Sequence, residues 1–271
     1  MKLFISSDME GTCGITHWDE TDYDKGGRWY DYFREQMTRE VAAACAGATE
    51  GGADTILVKD AHDSARNIIP TELPRGVRLG REWSGGLYSM VDGLQEGFDA
   101  LAFTGYHSPA YSNGNPLAHT MNTSIDEITI NGVRTSEFLI FSYAAGSLGA
   151  PVIFLSGDAA LCDFARSFIP GITTVATNEG SGAAVVSIHP NDATAYIKEG
   201  MCSAVKQFIS GNMKTCAVPM PDSFDVNVRY STHKKAFRNS LYPAARAIDE
   251  KTIGFSTTDY CEVLRFFKFV L

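Results

Sequence analysis

Short apolar runs alternate with helix-spaced apolar residues along most of the chain. Leu3 to Ser7, Thr55 to Val58 and Ala100 to Phe103 each have the length of a buried strand, and each leads into polar residues. From about Tyr30 to Gly51 the apolar positions recur instead at the spacing of a helix. This alternation predicts an α/β fold with a mainly parallel sheet flanked by helices.

The alternation continues after residue 125. Asn131-Gly132 lies between two short β-type runs and supplies the two positive φ angles of a type I′ turn, which predicts a β-hairpin. The elements expected next are a helix from about Thr135 to Leu148, a strand from Pro151 to Asp158, a helix from Ala159 to Phe168 and a strand from Thr173 to Ala176. The parallel sheet therefore gains two further strands.

The pattern changes after about Pro190. The elements expected there are a helix reaching Phe208, a break at Pro219 and Pro221, an alternating strand from Phe224 to Tyr230, and two helices around a short strand near Thr252 to Phe255. We therefore predict an α/β catalytic domain over residues 1–190 and a smaller C-terminal α+β subdomain over residues 191–271.

Composition narrows the class of protein. Of the 271 residues 44% are apolar, which is typical of a globular protein and excludes disorder as the main state. The formal net charge is −9 and no basic run exceeds Lys234-Lys235, so we expect neither a nucleic acid nor an anionic membrane surface as a partner. A small or peptidic partner fits better.

Several classes of protein are excluded by what the sequence lacks. No stretch approaches the roughly 20 apolar residues that span a bilayer, and Asp8 comes too early for a signal peptide, so we expect a cytoplasmic protein. The segment from Gly11 to Gly14 lacks the pattern of a phosphate or dinucleotide loop. Without any C-x-x-C pair, the six cysteines are expected to be reduced thiols: Cys13, Cys45, Cys162, Cys202, Cys216 and Cys261.

Polar side chains with metal-binding chemistry follow the predicted strands. In a parallel α/β sheet, ligands bind beyond the carboxyl ends of the strands. The residues placed there are Asp8, Glu10, Asp60, His62 and His107. Singly, each carboxylate could be a cap, a turn residue or a solvated group, and each histidine a structural one. Together they form a nitrogen and oxygen set suited first to zinc and second to manganese or cobalt.

The other histidines divide into two groups. His119 lies in a loop after His107 and could be a ligand, a general base or a group that stabilises charge. By contrast, His17, His189 and His233 are interpreted as surface residues.

An ordered set of motifs resembles the zinc-dependent D-aminopeptidase family. The set comprises Asp8-x-Glu10-Gly11, Asp60-x-His62, Gly105-Tyr106-His107, His119, and Glu137 beyond the hairpin. The order and spacing of these motifs match the family over about residues 1–160, and the length of the whole chain is typical of the family.

The resemblance implies a hydrolase with two zinc ions per chain that releases N-terminal D-amino acids such as D-Ala from short peptides. Asp8 would then bridge the metals, Glu10 and His62 would complete one site, and His107 and Glu137 the other. His119 would be the catalytic histidine. Glu137 enters through the resemblance alone, because a carboxylate in the first turn of a helix has a sufficient electrostatic explanation. The family also implies a homo-oligomer, a ring-shaped decamer.

Two segments depart from the family pattern. The stretch from Thr135 to Phe141 is more apolar and bulkier than expected, and the loop from Thr16 to Gly27 is strongly acidic. The resemblance therefore supports the metal site more strongly than it supports the substrate.

Three other functions stay open. Asp8-Met9-Glu10-Gly11-Thr12 comes within one methylene of the signature of haloacid-dehalogenase-like, Mg-dependent phosphohydrolases, with Asp158 and Asp163 imitating their later acidic motif. That scheme gives no role to His62, His107 and His119. The remaining alternatives are a metal-dependent amidase with a substrate other than D-peptides and a non-catalytic binding protein with a structural metal.

Overall fold

The computed structural model describes residues 1–211 and 213–271, and it describes the side chains of these residues except at positions 25, 26, 213 and 214. The strands are β1 (Lys2–Ser7), β2 (Thr55–Asp60), β3 (Arg78–Gly80), β4 (Ala100–Tyr106), β5 (Ile125–Ile130), β6 (Val133–Arg134), β7 (Val152–Asp158), β8 (Thr173–Ser181), β9 (Ala184–Ser187), β10 (Phe224–Tyr230), β11 (Arg246–Ala247) and β12 (Thr252–Thr257). The α-helices are α1 (Tyr23–Gly51), α2 (Glu137–Ser147), α3 (Ala159–Phe168), α4 (Pro190–Ile209), α5 (His233–Asn239) and α6 (Tyr260–Val270).

Two sheets organise these elements. The larger sheet has the order β3-β2-β1-β4-β7-β8-β9, and its strands are parallel up to β8, with β9 antiparallel at the edge. The smaller sheet has the order β11-β12-β10-β5-β6 and is antiparallel. The predicted α/β fold with a mainly parallel sheet is confirmed.

The larger sheet is buried because helices cover it. Leu3, Phe4 and Ile5 are successive residues of β1 and all are fully buried, as a parallel strand covered on both faces requires. Helix α1 begins at Tyr23, earlier than the sequence pattern indicates, because Asp22 caps it and accepts from Asp24 N–H. The backbone at Gly27 departs from helical geometry, with φ 49°, and interrupts the apolar spacing there.

The smaller sheet draws on distant parts of the chain. The predicted hairpin is present as β5 and β6, and β5 pairs with β10, so that Ile130 lies opposite Val226 and Ile128 opposite Val228. Helix α4 begins at Pro190, at the predicted domain boundary, and packs against α1. The division into domains at residue 190 stays a prediction, and strands from both sides of that position meet in the smaller sheet.

Two further predictions can be compared with the described structure. None of the six cysteines, all of which are described residues, forms a disulfide. Among the helices of the described residues, none combines the length and the hydrophobicity that crossing a membrane requires.

Candidate metal centre

The carboxyl ends of three neighbouring strands bring the predicted ligands together. Because β1 lies between β2 and β4, the loop after β1 carries Asp8 and Glu10 between His62, which follows β2, and His107, which follows β4. His62 Nδ1 lies 3.2 Å from Asp8 Oδ1 and 3.1 Å from Glu10 Oε2. His107 Nε2 lies 3.5 Å from Asp8 Oδ2. All four side chains are buried.

Two glycines allow this close approach. The loop after β1 presses against the end of β4, where Gly11 N–H donates to the Gly105 carbonyl at 2.8 Å. A Cβ at Gly11 would lie 1.9 Å from the Tyr106 carbonyl oxygen, and Gly105 has φ +69° with its backbone against Asp8. Only glycine fits both positions, which gives the glycines of the two motifs a steric reason.

The hairpin brings Glu137 to the same place. Ser136 caps α2, and Glu137, the first residue of the helix, lies with its Oε2 3.7 Å from His107 Nε2. Glu137 Oε1 accepts from Met121 N–H at 2.6 Å and lies 3.7 Å from His119 Nε2. The loop that carries His119 is therefore tied to the start of α2.

Six side chains thus form one group, which we call the strand-end cluster: Asp8, Glu10, His62, His107, His119 and Glu137. Within it, three sets each have their ligand atoms within 4.8 Å of one another: Asp8, Glu10 and His62; Asp8, His107 and Glu137; Glu10, His107 and His119. The first two sets share Asp8. This grouping has the form of two adjacent metal positions with a common carboxylate, and the assignment of ligands stays a prediction.

Hydrogen bonds to main-chain carbonyls fix the three imidazole rings. A carbonyl can only accept, so the ring nitrogen facing it must carry the proton. His62 Nε2 donates to the Thr21 carbonyl at 2.8 Å, His107 Nδ1 to the Ser108 carbonyl at 2.8 Å, and His119 Nδ1 to the Leu117 carbonyl at 2.9 Å. Each ring therefore presents its other nitrogen to the cluster, as a metal ligand or base requires.

Several polar atoms of the cluster are buried without a hydrogen-bond partner among the described residues: Asp8 Oδ2, Glu10 Oε2 and His107 Nε2. Buried polar atoms are normally satisfied, and a cation between these oxygens and the imidazole nitrogens would satisfy them. Since the unpartnered atoms are all of types that zinc accepts, the residues fit a bound metal.

The charged groups of the cluster shift one another's pKa values. Burial, helped by the neighbouring Glu10 carboxylate, raises the pKa of Asp8 well above its usual value. Burial alone would lower the pKa of His107, but Glu137, Glu10 and Asp8 raise it to about 9. Burial opposes the protonated form of His62 as well, and Glu10 and Asp8 overcome it and raise that pKa. Without metal, the cluster therefore tends to hold protons where cations would bind.

Two acidic residues considered from the sequence lie outside the cluster. The Asp60 carboxylate accepts from the N–H groups of Asn67 and Ile68 and from the Asn67 side chain, and so shapes the loop after β2. Asp158 caps α3 through Leu161 N–H and binds Ser108, whose carbonyl orients His107. Asp60 therefore fixes the loop that follows β2, and Asp158 fixes Ser108, which orients His107.

The cluster opens into a cavity of about 750 Å³. Residues that the sequence analysis did not single out line it, among them Trp18, Asp63, Trp83, Met90 and Met121. They come from loops and carry no local pattern that marks them as wall residues. The bulky side chains from Phe138 to Phe141 are buried in the core and do not line the cavity.

The histidines interpreted as surface residues are exposed: His17, His189 and His233. His17 and His189 each cap a helical segment with the side chain. Their interpretation is confirmed.

A parallel α/β sheet that gathers three carboxylates and three imidazoles at one cavity is an arrangement suited to a metal-dependent hydrolase. The model of the D-aminopeptidase family matches residues 1–269, and the chain belongs to that family. It is therefore an enzyme, a metal-dependent aminopeptidase, and the haloacid-dehalogenase-like alternative is not favoured. Asp158 and Asp163, which that alternative would use as its later acidic motif, have other roles here. Asp158 caps α3, and Asp163 pairs with Arg166 at the surface.

Two known proteins are similar along the whole chain. A D-aminopeptidase of Bacillus subtilis (strain 168) is 29% identical over 266 residues, which cover 97% of this chain and 93% of that protein. A solved structure, the Zn-dependent D-aminopeptidase DppA from Bacillus subtilis, described as a self-compartmentalizing protease, superposes with a TM-score of 0.90 at 26% identity. The match covers 100% of this chain and 96% of that structure.

Proposed function

We propose that this chain releases N-terminal D-amino acids, such as D-Ala, from short peptides with the help of two zinc ions. Asp8 would be the ligand common to both ions, Glu10 and His62 would complete one position, and His107 and Glu137 would complete the other. The observation that carries the proposal is the pair of ligand sets that share Asp8, which itself lines the cavity. Family membership and the zinc dependence of the similar solved structure support it.

When bound, zinc acts as a Lewis acid, because it polarises a peptide carbonyl and lowers the pKa of a nearby water. The chain supplies the proton transfers. His119 presents Nε2 to the cluster, 3.9 Å from Glu10 Oε1 and 3.7 Å from Glu137 Oε1, while Leu117 holds its other nitrogen. In this position His119 takes a proton from the attacking water and returns it to the departing amine.

The test is the hydrolysis rate of D-alanyl and L-alanyl peptides on the zinc-loaded enzyme, each repeated after a chelator has removed the metal. We expect a rate that is confined to the D-peptide and lost with the chelator, together with two zinc ions per chain by elemental analysis. A chelator-sensitive rate that favours the L-peptide would contradict the stereospecificity and keep the metal site. Metal-independent hydrolysis, or no hydrolysis of either peptide, would contradict the proposal.

We further propose that copies of this chain assemble into a homo-oligomer, a decamer in the ring form implied by the family. The similar solved structure is described as a self-compartmentalizing protease, which supports an assembly of several copies. Sedimentation velocity on the purified protein is the test, and we expect a species of ten times the chain mass. A monomer over the micromolar range would contradict assembly.

A further inference from the structure

The loop of residues 16–22 reaches the strand-end cluster at two points. The carbonyl of Thr21 accepts the Nε2 proton of His62 at 2.8 Å. Trp18 lies against His119, with 5.3 Å between the ring centroids and an angle of 62° between the planes, an edge-to-face contact. One loop therefore contacts both a proposed ligand and the proposed catalytic histidine.

Internal hydrogen bonds hold this loop in one conformation. Glu20 Oε2 accepts from Thr16 N–H at 2.6 Å and from His17 N–H at 3.0 Å, which closes a capping box. The carbonyl of Trp18 accepts from the N–H groups of Thr21 and Asp22 at 3.1 and 3.0 Å. The half-buried Trp18 side chain also packs against the hydrophobic core. The Trp18 indole is therefore held in place independently of His119.

His119 has less support of its own. It lies in a loop between β4 and β5, and among the described residues its ring forms one hydrogen bond, from Nδ1 to the Leu117 carbonyl, about which the ring can tilt. Two rings restrict the tilt: His107 stacks on His119 at 4.4 Å with 15° between the planes, and Trp18 meets it edge-to-face. His107 is itself a proposed ligand, so Trp18 is the ring contact that comes from outside the ligand set.

We propose that Trp18 is a positioning residue for the hydrolysis, acting through His119 by restricting the tilt of its imidazole ring. The inference rests on the catalytic role of His119 in the proposed function. Trp18 need not touch the substrate for this role. It fixes where Nε2 of His119 lies relative to Glu10 and Glu137, and catalytic groups lose rate steeply when they are misplaced by as little as an ångström.

The experiment compares two substitutions at this position in the zinc-loaded enzyme. Trp18→Phe keeps an aromatic edge, whereas Trp18→Leu keeps apolar volume without a ring. With a D-alanyl peptide as substrate, we expect kcat of the Leu variant to fall by about tenfold while KM stays within about twofold. The Phe variant is expected to recover most of kcat, and both variants to retain the zinc content of the unmodified enzyme.

The matched control is Trp29→Ala. Trp29 is an exposed tryptophan of α1 that does not line the cavity, and its loss is expected to leave kcat and KM unchanged. An unchanged kcat in Trp18→Leu would overturn the inference. So would a change in KM alone, since Trp18 would then act on substrate binding and not on the His119 imidazole.

A double-mutant cycle separates the inference from the proposed function. In the His119→Ala background, Trp18→Leu should cause no further loss of kcat, because the tryptophan acts through the missing imidazole. Equal losses in both backgrounds would overturn the inference and leave the role of His119 intact. If His119→Ala alone kept the full rate, the proposed catalytic role would fail, and the inference with it.

Discussion

The strand-end cluster and the packed face of the smaller sheet both bury side chains, but these side chains have opposite chemistry. The cluster buries three carboxylates and the imidazoles of His62 and His107, and some of their polar atoms have no hydrogen-bond partner among the described residues. The smaller sheet and its helices bury rings, such as Phe255 and Phe266, which stack 4.7 Å apart with 11° between their planes. Burying charge without a partner costs free energy, whereas burying a ring gains it. One region therefore serves binding and the other serves stability.

This difference means that the two regions should respond to substitution in opposite ways. Removing a charge from the cluster should strongly reduce activity without weakening the metal-free fold. Removing a ring from the smaller sheet should weaken the fold and leave the site chemistry intact.

The largest effect is expected for Asp8→Asn. Loss of the proposed bridging charge should lower the zinc content and reduce kcat by about 10³-fold, or about 4 kcal/mol. The metal-free variant should unfold at no lower temperature than the metal-free parent protein, because a buried carboxylate with a raised pKa has been removed. Zinc analysis, kinetics and calorimetry check these outcomes.

Cys13→Ser is the matched control, since Cys13 is buried near the cluster and its Sγ donates to the Ile188 carbonyl, a bond that serine can keep. It should retain zinc and rate. Full zinc and full rate in Asp8→Asn would show that the proposed site is wrong.

The next effect is expected for Phe266→Ala in the smaller sheet region. Phe266 is fully buried, and its truncation should lower the free energy of unfolding by about 3 to 4 kcal/mol through lost burial and a cavity. Urea denaturation measures the loss. The folded fraction should keep its zinc content and its kcat, and a parallel loss of zinc from folded protein would break the separation between the two regions.

A smaller effect is expected at Glu40, a buried carboxylate outside the cluster. Burial raises its pKa from the usual 4.5 to about 7, although Gln36 and Cys13 N–H donate to it and Arg39 lies near. The unfolded chain therefore ionises at lower pH than the folded one, and this residue removes stability as pH rises from about 4.5 to 7.

Glu40→Gln should remove that dependence. Relative to that of the unmodified protein, the free energy of unfolding of the variant should rise by about 2 to 3 kcal/mol between pH 5 and pH 8. Urea denaturation at both pH values measures this change. A constant difference across this range would mean that Glu40 is not held neutral by burial.

The sequence predicted the strands and the ligands that follow them, because both have local signals. Asp8 and His107 each come just after an apolar run of strand length, and parallel strands deliver their carboxyl ends to one edge. The helix at residues 159–168 and the hairpin around Asn131-Gly132 were also predicted from local patterns and are confirmed.

What the sequence could not predict depends on contacts between distant segments. Glu137 has a sufficient local reason for its place at the start of α2, and only the packing of the hairpin brings it to His107. The Thr21 carbonyl that orients His62 has no side-chain signature, since every residue has a carbonyl. Likewise, nothing near Trp18 in the sequence indicates that it lies against His119.

The pairing of β5 with β10 sets an order of events during synthesis. Residues 125–134 leave the ribosome well before residues 224–257, which supply the neighbouring strands of the smaller sheet. Until those strands arrive, one edge of β5 has unpaired backbone groups, because Ile128 and Ile130 lack their partners Val228 and Val226. The smaller sheet can therefore be completed only after residue 257 has emerged, and until then β5 is an edge strand open to pairing with another chain.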